Sequence, residues 1–153
     1  GGTFSPSSTG GTSSTLTVTV DPSASAGNYP FTVTGTSGSL VHQGSATLVV
    51  QPPDFSIAIP PSSASVGRSG GKANYTVTIT RTDGFAGGVS LSISGLPTGA
   101  TGTFNPVTVT GTPSTLTVTV VSTVSAGSYR FTVTGTNGSL AHSASATLTK
   151  RRW

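Results

Sequence analysis

Cysteine and methionine are both absent from the 153 residues, so the chain can build neither a disulfide framework nor a thiolate metal site. Charge is almost absent as well: seven Lys and Arg and three Asp and Glu stand against 54 Ser and Thr. The solvated faces must therefore be made of hydroxyls rather than ion pairs. A composition poor in Lys and Glu and rich in β-branched residues disfavours helices and favours strands. No apolar run approaches the length of a membrane span, and no signal peptide is visible. The shortage of acids excludes an Asp-rich calcium loop, and Asp83-Gly84 alone reads as an ordinary turn. A pI near 10.2 suggests a nucleic-acid partner, but the charge is badly placed for one. Lys150, Arg151 and Arg152 form a terminal cluster; without them Arg68, Lys72, Arg81 and Arg130 face Asp21, Asp54 and Asp83, a net of +1 (4 − 3). A phosphate-binding face needs a basic stripe across the fold, so nucleic acid is not an expected partner.

What is present is a repeat. Residues 2–50 align with residues 102–150 without a gap, and 31 of the 49 positions are identical. Ser14–Val20 recurs at Ser114–Val120, and Phe31–Thr36 at Phe131–Thr136. A period of 100 residues is one whole domain, so the chain reads as a tandem array entered part-way through a unit. The organisation expected is the C-terminal half of a module at 1–50, a Pro-rich linker at 51–53, a complete module at 54–150 and a basic tail at 151–153. Gln51-Pro52-Pro53 restricts the backbone to extended conformations and predicts a short, stiff connection. Opening on Gly1-Gly2 inside a repeat, the sequence is read as a piece of something longer.

Apolar and hydroxyl residues alternate strictly, the period of a half-buried strand. Phe55, Ile57 and Ile59 predict a first strand, stopped by Pro60-Pro61. Ala73, Tyr75, Val77 and Ile79 lie on one face of a second, and Val89, Leu91 and Ile93 on one face of a third that ends at Gly95-Leu96-Pro97. Phe104 marks a short strand, Leu116, Val118 and Val120 another, and Tyr129, Phe131 and Val133 the next. Asn137-Gly138 then predicts a hairpin into Leu140–Leu148. Seven strands with one apolar face each predict an all-β, two-sheet sandwich.

The order of Asp54-Phe55-Ser56-Ile57, Tyr75-Thr76-Val77-Thr78, Gly84-Phe85, Val89-Ser90-Leu91, Gly95-Leu96-Pro97 and Ala126-Gly127-Ser128-Tyr129 resembles the immunoglobulin-like modules repeated in secreted and surface proteins of bacteria and archaea. Tyr129, just after a glycine, resembles the tyrosine corner of that fold. The resemblance covers 54–150 fully and 2–50 as its latter half, and it implies an extracellular or cell-surface location.

Few side chains suggest chemistry. His42 and His142, the two histidines, sit at equivalent positions in phase with inward residues, and neither has a second ligand close in sequence; both are read as rim-of-core residues. With three acids at strand starts and turns, a Ser-His-Asp triad lacks its buried orienting acid. No catalytic, cofactor-binding or metal-binding residue is assigned. Most rings fall on the inward phase; Phe85 and Trp153 are the exceptions, Phe85 being read as a loop residue folded over the core. Asn74-Tyr75-Thr76 and Asn137-Gly138-Ser139 fit the N-glycosylation triplet, making Asn74 and Asn137 candidate acceptors. The expected function is that of a non-enzymatic structural or assembly module of an extracellular repetitive protein or filament. It would act as a spacer or self-associate through β-strand contacts, with neighbouring repeats as partners. The alternatives are an accessory module of a secreted hydrolase, with polysaccharide as the partner, or an adhesin repeat.

Overall fold

The computed structural model describes residues 1–152; Trp153, read above as a ring off the inward phase and part of the basic tail, lies outside them. The chain is all-β, and it forms two compact units, Gly1–Pro52 and a second beginning at Pro53. Strands β1 (Gly2–Ser5), β2 (Thr15–Val18), β3 (Gly27–Ser37) and β4 (Leu40–Val50) make up the first. The second holds β5 (Asp54–Ala58), β6 (Ser63–Val66), β7 (Gly71–Thr82), β8 (Val89–Ser94) and β9 (Ala100–Asn105), then β10 (Thr108–Val109), β11 (Ser114–Val120), β12 (Gly127–Asn137) and β13 (Leu140–Lys150).

The second unit is an immunoglobulin-like sandwich of a four-stranded sheet, β5-β7-β11-β9, and a five-stranded sheet, β10-β8-β12-β13-β6. Alternation sets its register. Tyr75, Val77, Leu116, Val118, Phe131, Val133 and Leu148 are buried while their hydroxyl neighbours face outward. Burial of each large side chain contributes roughly 1.5–3 kcal/mol. On the outer face of β12 and β13 the hydroxyls pair with each other, Thr134 with Ser143 at 2.9 Å and Thr132 with Ser145 at 3.2 Å. These rows do for a charge-poor surface what ion pairs do elsewhere. Across the core, the Tyr75 hydroxyl donates to the Thr147 carbonyl at 2.9 Å, and its ring meets Phe131 edge-on. Phe85 folds back under the loop after β7 and packs on Phe55 with ring centroids 5.2 Å apart.

Among the described residues, nine strands rather than seven build this unit. The two unforeseen ones, β6 and β10, have four and two residues, too short for a periodic signal. Beyond Pro60-Pro61 the chain leaves the sheet of β5 and, as β6, pairs in parallel with the end of β13.

In the first unit, β1 pairs only with β2, and β3 only with β4, among the described residues. The pairing registers match those of the second unit at an offset of 100. Phe4 faces Leu16 as Phe104 faces Leu116, and Tyr29 faces Leu48 as Tyr129 faces Leu148. Both repeats also keep their local corners. Tyr29 donates to the Ser25 carbonyl and Tyr129 to the Ser125 carbonyl, each at 2.7 Å. Ser14 caps Pro6 as Ser114 caps Pro106. What differs is everything that the counterparts of β5–β8 would supply.

Candidate functional site

The inner face of a strand such as β11 is apolar because it is made to be covered. In the second unit β7 lies beside β11, with Leu116 opposite Tyr75 and Val118 opposite Ala73, and β8 lies beside β12, with Val133 opposite Ile93. In the first unit the corresponding edges of β2 and β3 have no neighbouring strand among the described residues. Val118 is fully buried whereas Val18 is 38% exposed, and Val120 is 3% exposed whereas Val20 is 39%. Phe4, Tyr29 and Leu40 are exposed too. A groove of about 260 Å³ opens between the end of β2 and the β3–β4 pair, lined by Val20, Tyr29, Leu48 and Val50 with Thr19, Asp21 and Ala24. Two free strand edges flanking an apolar groove form a surface that can accept strands.

The glycines report the same contrast. A Cβ on Gly135 would lie 2.8 Å from Val89 Cγ1 and 3.4 Å from the Phe55 ring, whereas one on Gly35 would meet nothing within 4 Å. The room that β5 and β8 fill in one repeat is vacant in the other.

The residues singled out from the sequence fall elsewhere. His142 Nε2 lies 2.8 Å from Asp54 Oδ1, and its ring stands edge-on to Phe55. The Asp54 carboxyl is held below its usual range first by the backbone N–H of Phe55 and then by His142. Sequence reasoning had no access to this pair, which is 88 residues apart. It joins a base and an acid and holds the start of β5 against β13; no Ser hydroxyl bonds the imidazole among the described residues. His42 is exposed, the counterpart of Asp54 being absent from its unit. No group of three or more His, Cys, Asp or Glu side chains converges among the described residues.

Asn74 is exposed, and its Oδ1 accepts from Thr117 Oγ1 at 3.0 Å, leaving the amide nitrogen a glycan would join free of that bond. Asn137 instead spends its Nδ2 on the Gly88 carbonyl at 2.7 Å.

Lys150 departs most from its sequence reading. Grouped by position with the terminal basic cluster, it is 4% exposed, and its ammonium donates to the carbonyls of Val121, Ser122 and Val124 at 3.1, 2.7 and 2.6 Å. It ties down the β11–β12 turn instead of presenting charge to a ligand. The first repeat has Val50 there, and Asp21 holds the equivalent turn by accepting from Ser23 N at 2.8 Å and from the Ser23 hydroxyl. Those bonds lower the Asp21 carboxyl below its usual range, the hydroxyl's contribution being the larger.

No protein-family model and no curated protein matches the chain. Solved structures do. Domains 4 and 5 of the S-layer protein SbsC are similar with a TM-score of 0.52 at 19% identity, over 83% of this chain and 59% of that one. The longer structure rSbsC(31-844) gives 0.51 at 21% identity, over 83% of this chain and 17% of that one. The chain thus spans less than two thirds of either, and likeness at this identity establishes a shared fold.

Proposed function

We propose that this chain is a non-enzymatic structural module of a cell-surface or extracellular assembly, in which immunoglobulin-like units set in tandem act as spacers and self-associate through β-strand contacts. The observation that carries the reading is the open face of the first unit: β2 and β3 keep the registers of their covered counterparts, but Val18 at the end of β2 and Val20 just beyond it are exposed. A surface with free edges and an apolar groove is a means of joining chains. The fold likeness to SbsC, named as an S-layer protein, supports placing that joining at a cell surface. The polysaccharide alternative needs rings side by side in solvent; Phe55, Tyr75, Phe85 and Phe131 are buried, and the exposed Phe4 and Tyr29 stand on different strand pairs, β1-β2 and β3-β4. No helix of the described residues is long and apolar enough to cross a membrane. On this reading Asn74, exposed and with its amide nitrogen outside the bond to Thr117, is the better glycan acceptor of the two candidates.

The test is light scattering and electron microscopy of the 153-residue chain over a concentration series. Association that grows with concentration and is suppressed by Val18→Lys with Val33→Lys is expected, because buried charge on a joining face is costly. A monomer at every concentration would overturn the self-association reading.

A further inference from the structure

The second unit closes its core but not every edge of its sheets. The two sheets end on β5, β9, β10 and β6, and three of these strands are poor templates for a further one. β10 has two residues, β6 has four and stands between Pro61 and Arg68, and β5 begins on the charged Asp54. β9 has six residues, Ala100–Asn105, with no charge and no proline among them. Its register with β11 runs without a bulge, and β11 is its only paired strand among the described residues. An edge without charge, proline or bulge is open to strand addition. We infer that β9 is a self-association edge, pairing antiparallel with β9 of a second copy of this chain about a two-fold axis that sets Thr103 opposite Thr103.

The backbone selects that register. Val121 N donates to the Gly99 carbonyl at 3.0 Å, continuing the ladder in which Ala100 faces Val120. Hydrogen-bonded and non-bonded pairs alternate along an antiparallel ladder. Thr101, Thr103 and Asn105 therefore bond to β11, while Gly102 and Phe104 turn their N–H and C=O groups to the open side. The first repeat has the same phase, since Gly1, the counterpart of Thr101, exchanges both bonds with Thr19 at 2.8 and 3.0 Å. With Thr103 at the centre, Gly102 of each copy exchanges both bonds with Phe104 of the other. Centring on Gly102 instead would aim the Phe104 carbonyl at the Ala100 N–H, which is already spent on the Pro97 carbonyl at 2.9 Å.

The side chains favour a second copy as the occupant. Among the described residues of the second unit, the exposed large hydrophobics are Val107 and Val121, at 58% and 48%, and both lie by this edge. Val107 follows β9 by two residues, and Val121 lies over Gly99, where a Cβ would come 2.9 Å from its Cγ2. Antiparallel pairing about Thr103 carries Val107 of one copy towards Gly99 and Val121 of the other, at both ends of the contact, so the exposed valines cover one another. The exposed row between them, Thr101, Thr103 and Asn105, brings no like charges together, and Thr opposite Thr is a favourable cross-strand pair. At the places of Val107 and Val121 the first repeat has Ser7 and Asp21, which makes the edge of β1 a poorer partner for itself. The inference rests on the assembly reading and specifies a contact separate from the open face of the first unit.

The absence of cysteine makes the register directly testable in the full chain. Thr103→Cys sets two thiols across a non-bonded antiparallel pair, at a separation suited to a disulfide, whereas Thr101→Cys would face Asn105 of the other copy. Under mild oxidation over a concentration series, the expected result is a 103–103 dimer from Thr103→Cys and none from Thr101→Cys. Mixing Thr101→Cys with Asn105→Cys chains should give the 101–105 dimer. Equal self-cross-linking at 101 and 103 would overturn the inference. Hydrogen exchange gives a second readout: the amides of Gly102 and Phe104 should gain protection as concentration rises. Thr103→Lys, which sets like charges opposite each other, should raise the dimer Kd more than about tenfold, as should Val107→Ser with Val121→Asp. If the chain associates but these variants associate as before and Thr103→Cys forms no dimer, the assembly reading stands and this inference falls. If β9 pairs form and Val18→Lys with Val33→Lys leaves association unchanged, the inference holds and the contact through the first unit falls. A monomer at every concentration would overturn both.

Discussion

Lys150 takes its ammonium out of water with no carboxylate meeting it among the described residues, and three carbonyls of the β11–β12 turn take the place of the lost hydration. Lys150→Ala would leave those carbonyls without their donor in a buried place, at a cost on the order of 1–3 kcal/mol. Thermal denaturation should show a clear fall in Tm, whereas Arg151→Ala, at an exposed position, should change stability by no more than about 0.5 kcal/mol. Equal effects would refute the structural role. At the other end of β13, the Asp54 carboxyl is held below its usual 3.8 by the Phe55 N–H and, secondarily, by His142. A lowered folded-state value means that the stabilisation is present above the unfolded value and is lost as pH falls through the folded one. Carboxyl NMR titration should place the Asp54 midpoint below 3.8. His142→Ala should raise it only part of the way back, because the larger contribution comes from the backbone.

Paired elements of the two repeats form an internal experiment. β2 and β11 share the run Thr15–Val18 and Thr115–Val118, but β11 has a strand on each side, β7 and β9, while β2 has only β1 among the described residues. Leu116→Ala should destabilise the second unit by about 2–5 kcal/mol, whereas Leu16→Ala, at a position that is only half-buried, should cost less than about 1 kcal/mol. Likewise Gly135→Ala drives a Cβ against Val89 and should cost about 1–3 kcal/mol, while Gly35→Ala should be neutral. Denaturant titration of the four variants checks both contrasts, and similar losses in the two repeats would mean that the first unit is covered after all. These elements also mark how far the sequence is readable. The Val–Thr alternation determines which face of β11 and β12 is inward, because a one-residue slip would bury every threonine. The tyrosine corner was readable too, since Tyr129 and Ser125 are four residues apart. β6 and β10 were not, being too short to show a period and paired by neighbours fixed elsewhere in the fold. The Asp54–His142 contact and the burial of Lys150 depend on which strand ends come together, which local pattern does not encode.

Taken as a whole, the chain joins a unit with a closed core to a unit whose inner face is open, and stability should be divided accordingly. The buried side chains, Tyr75, Leu116, Phe131 and Leu148 among them, all belong to the second unit, so its strands can open only by giving up the core together. The first unit has no buried residue. It is held by two separate strand pairs and by local corners such as the Tyr29–Ser25 bond, and isolated two-stranded ribbons are marginal in water. Unfolding should therefore not be two-state. Hydrogen exchange should find β7, β11 and β12 protected to the level of global unfolding, with β1–β4 exchanging through local opening at far lower free energy. In denaturant, a probe on the first unit should report loss of structure well before one on the second. Coincident transitions, with equal protection of β3 and β12, would show that the first unit is stabilised by contacts other than strand coverage, and would remove the physical reason for seeking a partner that supplies it.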